Sequence, residues 1–232
     1  MRIVVLGCGT GVGKTRVSVA LLRGLVARGQ NALGLKPVET GFTLDSVGVA
    51  ISDASALMKA GSHRPSNWLP AFNFAAAVSP HLAARNRGTT IDLRRVSEWV
   101  SENELGMAPS ISSHSANWTV VETAGGVFSP LSPTEVNFDL AVALEPATWV
   151  LVAADALGVL HDVSATLQAM RARGRVPDHV VLSGARDADA STGSNATELA
   201  GLGICQVTAV LARNDDSGIA PLVSALDPST YG

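Results

Sequence analysis

Nine consecutive residues, Gly7-Cys-Gly-Thr-Gly-Val-Gly-Lys-Thr15, constrain this chain more than any other stretch of it. They follow Arg2 to Leu6, a short apolar, β-branched run that reads as a buried parallel strand. They precede Thr15 to Arg28, where Val17, Val19, Leu21, Leu22, Leu25 and Val26 recur near helical spacing and Gly29 supplies a stop. Glycines between a strand and a helix let successive backbone N–H groups converge on phosphate oxygens, and the helix N-terminus adds its positive end. Lys14 would neutralise charge on the β- and γ-phosphates, and the Thr15 hydroxyl would hold Mg²⁺. The first glycine stands one residue further out than strict Walker A spacing. An ordinary glycine-rich turn is the plainer alternative, but it leaves the Gly-Lys-Thr unexplained.

Further along, Ala32 to Leu35 reads as a strand, and Ser52 as the N-cap of a helix reaching Ala60 before Gly61. His63 to Val78 reads as irregular, and Pro80 to Asn86 and Leu93 to Asn103 as helices. Trp118 to Val121, Trp149 to Ala153, Val180 to Leu182 and, more weakly, Gln206 to Val210 read as strands. Phe138 to Leu144 and His161 to Ala172 read as helices between them. This alternation predicts an α/β fold, a doubly wound, mostly parallel sheet with flanking helices, with ligands beyond the C-terminal strand ends. Gly7–Thr15, Lys36, Glu122 and Asp155 fall at such ends. No Pro/Ser-rich or charge-dense linker divides the 232 residues, so one domain over 1–232 is expected.

The apolar runs are strand-sized, so no membrane span is expected, and a net charge of −3 gives no electrostatic reason for a nucleic-acid partner. The N-terminus runs straight into the loop without a signal-peptide pattern, and a cytoplasmic location is the default. Cys8 and Cys205 lie far apart and make no metal pattern. Cys8 reads as a small residue tolerated near phosphate, with redox sensitivity as the alternative. His63, His81, His114, His161 and His179 show no ligand spacing, and Ser112, Ser113 and Ser115 lack a G-x-S-x-G context.

The chain has fourteen arginines but only three lysines, Lys14, Lys36 and Lys59. Lysine then marks places where a compact ammonium is needed. Lys36 sits in Gly34-Leu-Lys-Pro-Val-Glu-Thr-Gly41, at a strand end that would face the phosphates Lys14 faces; a solvent-exposed loop lysine is the alternative. Glu122, in Val120-Val-Glu-Thr-Ala-Gly-Gly126, closes an apolar strand before a glycine turn, as a Walker B-type Mg²⁺ ligand does, or else caps a turn. Asp53 on its own reads as a first-turn helix aspartate.

In this order the motifs resemble the dethiobiotin synthetase family. The residues that match are Thr10 to Thr15, Lys36 to Gly41, Asp53, Ser79-Pro80-His81, Val121 to Gly126, Pro130-Leu131-Ser132 and Leu157-Gly158. The resemblance implies a P-loop NTPase-type fold and a Mg²⁺-dependent cyclo-ligase acting on 7,8-diaminononanoate, CO₂ and ATP, with dethiobiotin, ADP and phosphate as products. It makes Lys14, Lys36 and Thr40 the catalytic residues, and Thr15, Asp53 and Glu122 the metal ligands. Nucleotide binding would involve Thr10, Gly11, Val12, Gly13, Lys14, Thr15, Arg16, Asp53, Glu122, Thr123, Ala124, Gly125, Ala209, Val210 and Leu211. Substrate binding would involve Thr10, Lys36, Thr40, Ser79, Pro80, Gly125, Gly158, Val159 and Leu160. The resemblance also implies a homodimer with substrate between subunits.

The chain departs from the family pattern at several points. Gly9 stands for a loop aspartate and Thr123 for a glycine. Gly184-Ala185-Arg186-Asp187 replaces the Asn-Asp pair that recognises adenine, and the proline near Ala209 is absent. His161-Asp162 stands near where Asn-His is usual. Nucleoside triphosphates other than ATP are therefore open as co-substrates. A nucleotide-binding relative with a regulatory or altered-substrate role is the alternative. A switch of the partitioning-ATPase type would want an early loop lysine, which Gly7, Cys8 and Gly9 do not supply.

Overall fold

The structure, a computed structural model, describes residues 1–44, 50–67, 69–107 and 116–226. His114 and the serine-rich stretch with Ser112, Ser113 and Ser115 lie outside the described residues. The first part of the chain gives β1 (Arg2–Gly7), α1 (Lys14–Ala27), β2 (Asn31–Leu35) and β3 (Val38–Thr40). β4 (Thr43–Leu44), β5 (Ala50–Ile51), α2 (Asp53–Ala60) and β6 (Phe72–Phe74) come next. Then follow α3 (Pro80–Asn86), α4 (Leu93–Leu105), β7 (Asn117–Glu122), α5 (Asn137–Ala143) and β8 (Thr148–Asp155). The last elements are α6 (Val159–Ala172), β9 (His179–Gly184), α7 (Asn195–Gly201), β10 (Ala209–Leu211) and α8 (Ala220–Ala225).

Six strands form one parallel sheet in the order β10-β9-β8-β1-β7-β2. Side chains alternate across a strand, and here both faces are buried. Val4, Leu6, Leu35, Val121, Leu151 and Leu182 join one core with Val96 and Trp99 of α4, Phe138 of α5 and Leu167 of α6. Ile3, Val5, Val120, Val152 and Val181 join the other with Val17 and Leu21 of α1, Leu57 of α2 and Leu222 of α8. That double burial explains why these strands are near-continuous apolar runs. The doubly wound parallel arrangement read from the sequence is the one found.

Helix and strand ends shift by one or two residues from the expected bounds, as at α1 and α6, and the weak strand expected from Gln206 begins three residues later, at Ala209. The segment from His63 to Val78 is not wholly irregular. Within it β6 pairs in parallel with β3, Val38 with Phe72 and Thr40 with Phe74. This small sheet carries the loop after β2 toward α3. Sequence reasoning also passed over α7 and α8, which are short and interrupted by polar or proline residues.

Candidate active site

β1, β2 and β7 lie side by side in the sheet, and their C-terminal ends bring three motifs together. Gly13 is the N-cap of α1, with φ of 94°, a left-handed conformation glycine adopts without strain. A Cβ there would stand 2.3 Å from Ser183 Oγ, so the loop is packed tightly on the end of β9. The turn after β7 closes the other side, where Val127 N–H donates to the Gly7 carbonyl at 2.8 Å.

A cavity of about 310 Å³ opens at this point, lined by Thr10, Gly11, Gly13, Lys14, Thr15, Lys36, Thr40, Asp53, Glu122, Ala124 and Gly125. All three candidate catalytic residues and all three candidate metal ligands border it. The Lys36 ammonium sits between two carboxylates, 2.6 Å from Glu122 Oε1 and 2.8 Å from Asp53 Oδ2. Thr15 Oγ1 donates to the same Glu122 oxygen at 2.8 Å. Lys14 donates to the Gly9 carbonyl at 3.1 Å.

Burial and neighbouring charge set the protonation of these groups. Burial alone would push the Lys36 ammonium down, but Glu122 and Asp53 outweigh it and hold it above the usual lysine range. Burial would raise the Asp53 carboxyl, and Lys36 more than reverses this. Lys14 has no such partner. Burial, and then repulsion from Lys36, bring it down to about 8. The Cys8 thiol is pushed up to about 11, chiefly by burial, so it is a packed thiol rather than a reactive thiolate.

Asp53 is the first-turn helix aspartate read from the sequence, and it also borders the cavity. It is the first residue of α2, whose N-cap is Ser52, and its side chain also reaches Lys36. What holds α2 in place was not visible in the sequence. Glu39, buried in β3, accepts from the N–H of Asp53 at 2.6 Å and of Ala54 at 3.4 Å.

A neighbouring cavity of about 290 Å³ is lined by Gly11, Val12, Gly13, Arg16, Ala154, Ser183, Gly184, Ala185, Arg186, Arg213 and Asn214. Val12 and Arg16 therefore border this second cavity. Arg16 pairs with Asp216 at 3.0 Å and donates to the carbonyls of Ala212 and Asp215, fastening the segment after β10 beside the loop. Four residues expected to bind nucleotide, Thr123, Ala209, Val210 and Leu211, line neither cavity. Ala209 and Leu211 are buried in the core, whereas Arg213 and Asn214, from the segment after β10, line the second cavity. The period-2 pattern of β10 turns Ala209 and Leu211 inward. Thr123 is buried too, its hydroxyl donating to the Val5 carbonyl at 3.0 Å. Asp155, at the end of β8, is a loop anchor, accepting from Asn195 Nδ2 at 2.7 Å and Gly193 N–H at 2.9 Å. Ser79 and Pro80 start α3, and Gly158, Val159 and Leu160 start α6; none of them lines either cavity.

Comparison with known proteins decides the family. A sequence profile described as an AAA domain matches residues 1–219. The ATP-dependent dethiobiotin synthetase of Anaeromyxobacter dehalogenans strain 2CP-C is 36% identical over 203 residues, covering 86% of this chain and 84% of its own. That of Yersinia pestis bv. Antiqua strain Angola is 34% identical over 194 residues, covering 81% and 77%. The chain belongs to the dethiobiotin synthetase family. Family membership agrees with the motif order read from the sequence. Among solved structures, a ParA family ATPase from Chlorobium tepidum aligns over 97% of this chain and 91% of its own, at TM-score 0.51 and 12% identity. Chloroplast FtsY from Physcomitrella patens aligns over 98% and 65%, at TM-score 0.52 and 12% identity. At such low identity these likenesses concern the fold, which they share with the family. No helix among the described residues is long and apolar enough to cross a membrane.

Proposed function

We propose that this chain is a Mg²⁺- and ATP-dependent dethiobiotin synthetase, closing the urea ring of 7,8-diaminononanoate with CO₂. The observation that carries this reading is the ring of Lys14, Lys36, Thr15, Thr40, Asp53 and Glu122 around one cavity beside a phosphate-binding loop. Two ammonium groups suit a phosphoryl group whose charge spreads over its equatorial oxygens. Thr40 lines the same cavity, and its hydroxyl would hold the carbamate.

The donor set fits Mg²⁺. Two carboxylates and a hydroxyl are hard oxygen ligands, and Glu122 Oε2 is buried with no hydrogen-bond partner among the described residues. Thr15, Asp53 and Glu122 would hold the ion, which would neutralise phosphate charge. Among the described residues no three His, Cys, Asp or Glu side chains gather to bind a metal. Mg²⁺ is commonly held by one or two carboxylates together with substrate phosphates, so two suffice here.

In the reaction, one amine of the substrate takes up CO₂ as a carbamate. A carbamate oxygen attacks the γ-phosphorus and the bond to the β-phosphate oxygen breaks, releasing ADP. The second amine attacks the carbamoyl carbon, the carbon–oxygen bond to phosphate breaks, and the amine loses its proton as the ring closes. Lys36 and Lys14 hold charge on the oxygens that change partners, and positioning supplies the rest.

Ser79, Pro80, Gly158, Val159 and Leu160 line neither cavity, and they would reach substrate in a homodimer in which the substrate spans two subunits. Leu157 is 85% exposed, and beside it the α6 N-terminus suits the substrate carboxylate. The test is an assay of purified protein with ATP, Mg²⁺, bicarbonate and 7,8-diaminononanoate, scored for phosphate and dethiobiotin. Phosphate release that depends on the diamine and matches dethiobiotin formed is expected. ATP turnover indifferent to the diamine would overturn the reading. CTP and GTP arms report how far Gly184-Ala185-Arg186-Asp187, in place of an Asn-Asp pair, relaxes the choice of base.

A further inference from the structure

The turn from Ala124 to Gly126 borders the cavity, and the group that shapes it lies behind it. Asn137, the first residue of α5, is fully buried and lines no part of the cavity. Its Nδ2 donates to the carbonyl of Ala124 at 2.6 Å and to that of Gly126 at 2.9 Å. A trans peptide unit points its C=O and N–H in opposite directions. Drawing the Ala124 carbonyl toward Asn137, on the core side, therefore turns the Gly125 N–H toward the cavity that Ala124 and Gly125 line.

The next two peptide units are fixed as well. Gly126 N–H donates to Ser129 Oγ at 2.8 Å, and Val127 N–H to the Gly7 carbonyl at 2.8 Å. Gly125 N–H alone of the three has no acceptor among the described residues. Gly125 has φ of 84°, and a Cβ there would lie 2.7 Å from Ser129 Oγ, so the turn has no room for a side chain. Asn137 itself is a poor choice for stability alone, because its Oδ1 is buried without a partner among the described residues. The return on burying this amide lies in its two donors.

We propose that Asn137 is a positioning residue for phosphoryl transfer, its carboxamide holding the Gly125 N–H as a fixed donor to an oxygen of the terminal phosphoryl group. The inference rests on the reading that the γ-phosphoryl group reacts in this cavity. A donor aimed in advance stabilises developing charge without reorganising during the reaction. Asn137→Asp keeps the shape and removes the donors; Asn137→Leu removes both polar ends from a buried site. Each is expected to lose kcat by on the order of 10- to 100-fold. Each should also weaken binding of a non-hydrolysable ATP analogue while leaving ADP affinity, which does not involve the terminal phosphate, unchanged. Equal weakening of both nucleotides, or wild-type kcat in a folded variant, would overturn the proposal. In the unmodified protein, the Gly125 amide proton should shift downfield with the triphosphate analogue and not with ADP. No such difference would also sink it, whether or not the variants fold. If the wild-type protein makes no dethiobiotin, the functional reading fails by itself; the nucleotide comparison still decides Asn137.

Discussion

Two lysines share one cavity, and their surroundings assign them different tasks. Lys36 is clamped by Glu122 and Asp53, so it stays charged across the working pH range. Lys14 donates to the Gly9 carbonyl and is paired with no carboxylate among the described residues, and its ammonium loses its proton at about 8. Relative to an unfolded lysine near 10.5, this depressed value penalises the folded state fully below about 8. The penalty is relieved as pH rises toward 10.5, so this group makes the nucleotide-free protein more stable with rising pH in that window. A bound triphosphate would reverse the balance by favouring the charged form. Binding of Mg²⁺-ATP should therefore take up protons at pH 8.5 and much less at pH 7.5. Calorimetric titrations in buffers of different ionisation enthalpy measure this directly. Equal uptake at the two pH values would show that Lys14 does not titrate with binding.

Among the elements, α2 shows how the proposed metal ligand Asp53 is held. The helix is eight residues long, and Ser52 caps it with Ser55 in a reciprocal pair. Glu39 adds a second cap from another part of the chain, and this ties the loop bearing Lys36 and Thr40 to the helix bearing Asp53. Glu39→Leu removes that acceptor at similar bulk. It should cost about 1 kcal/mol of stability in urea unfolding, and the Mg²⁺ concentration needed for half-maximal activity should rise. Glu39→Gln keeps an acceptor and should restore most of both. A wild-type Mg²⁺ dependence in the leucine variant would detach Glu39 from Asp53. The sequence revealed the elements whose signals are local: an apolar run, then glycines, as at β1, or a closing acid, as at β7. It did not reveal β3 and β6, because three residues show no period and their pairing spans more than thirty residues. Glu39 and Asn137 escaped for a related reason. Both are buried polar residues whose partners are backbone groups of other segments, and no spacing marks them.

Taken as a whole, the molecule ties its two cores to a single sheet. Val4 and Leu6 of β1 belong to one core, and Ile3 and Val5, between and beside them, to the other. Neither face can melt without exposing strands the other face needs, which argues for one folding unit over the chain. Heating should then give one cooperative transition, with near-UV and far-UV circular dichroism coincident. The two cavities span β1, β2, β7 and, through Ser183 and Arg213, the β9–β10 side, so a nucleotide bound as proposed would touch elements across the sheet. Ligand at about 100 times its dissociation constant adds about 2.7 kcal/mol to stability. For a chain of this length that corresponds to a rise in Tm of roughly 5–11 °C. The whole transition should move with Mg²⁺-ATP, not a portion of it. Two transitions, one of them indifferent to nucleotide, would mean that the β9–β10 side folds apart from the loop, and that Arg16 does not join them.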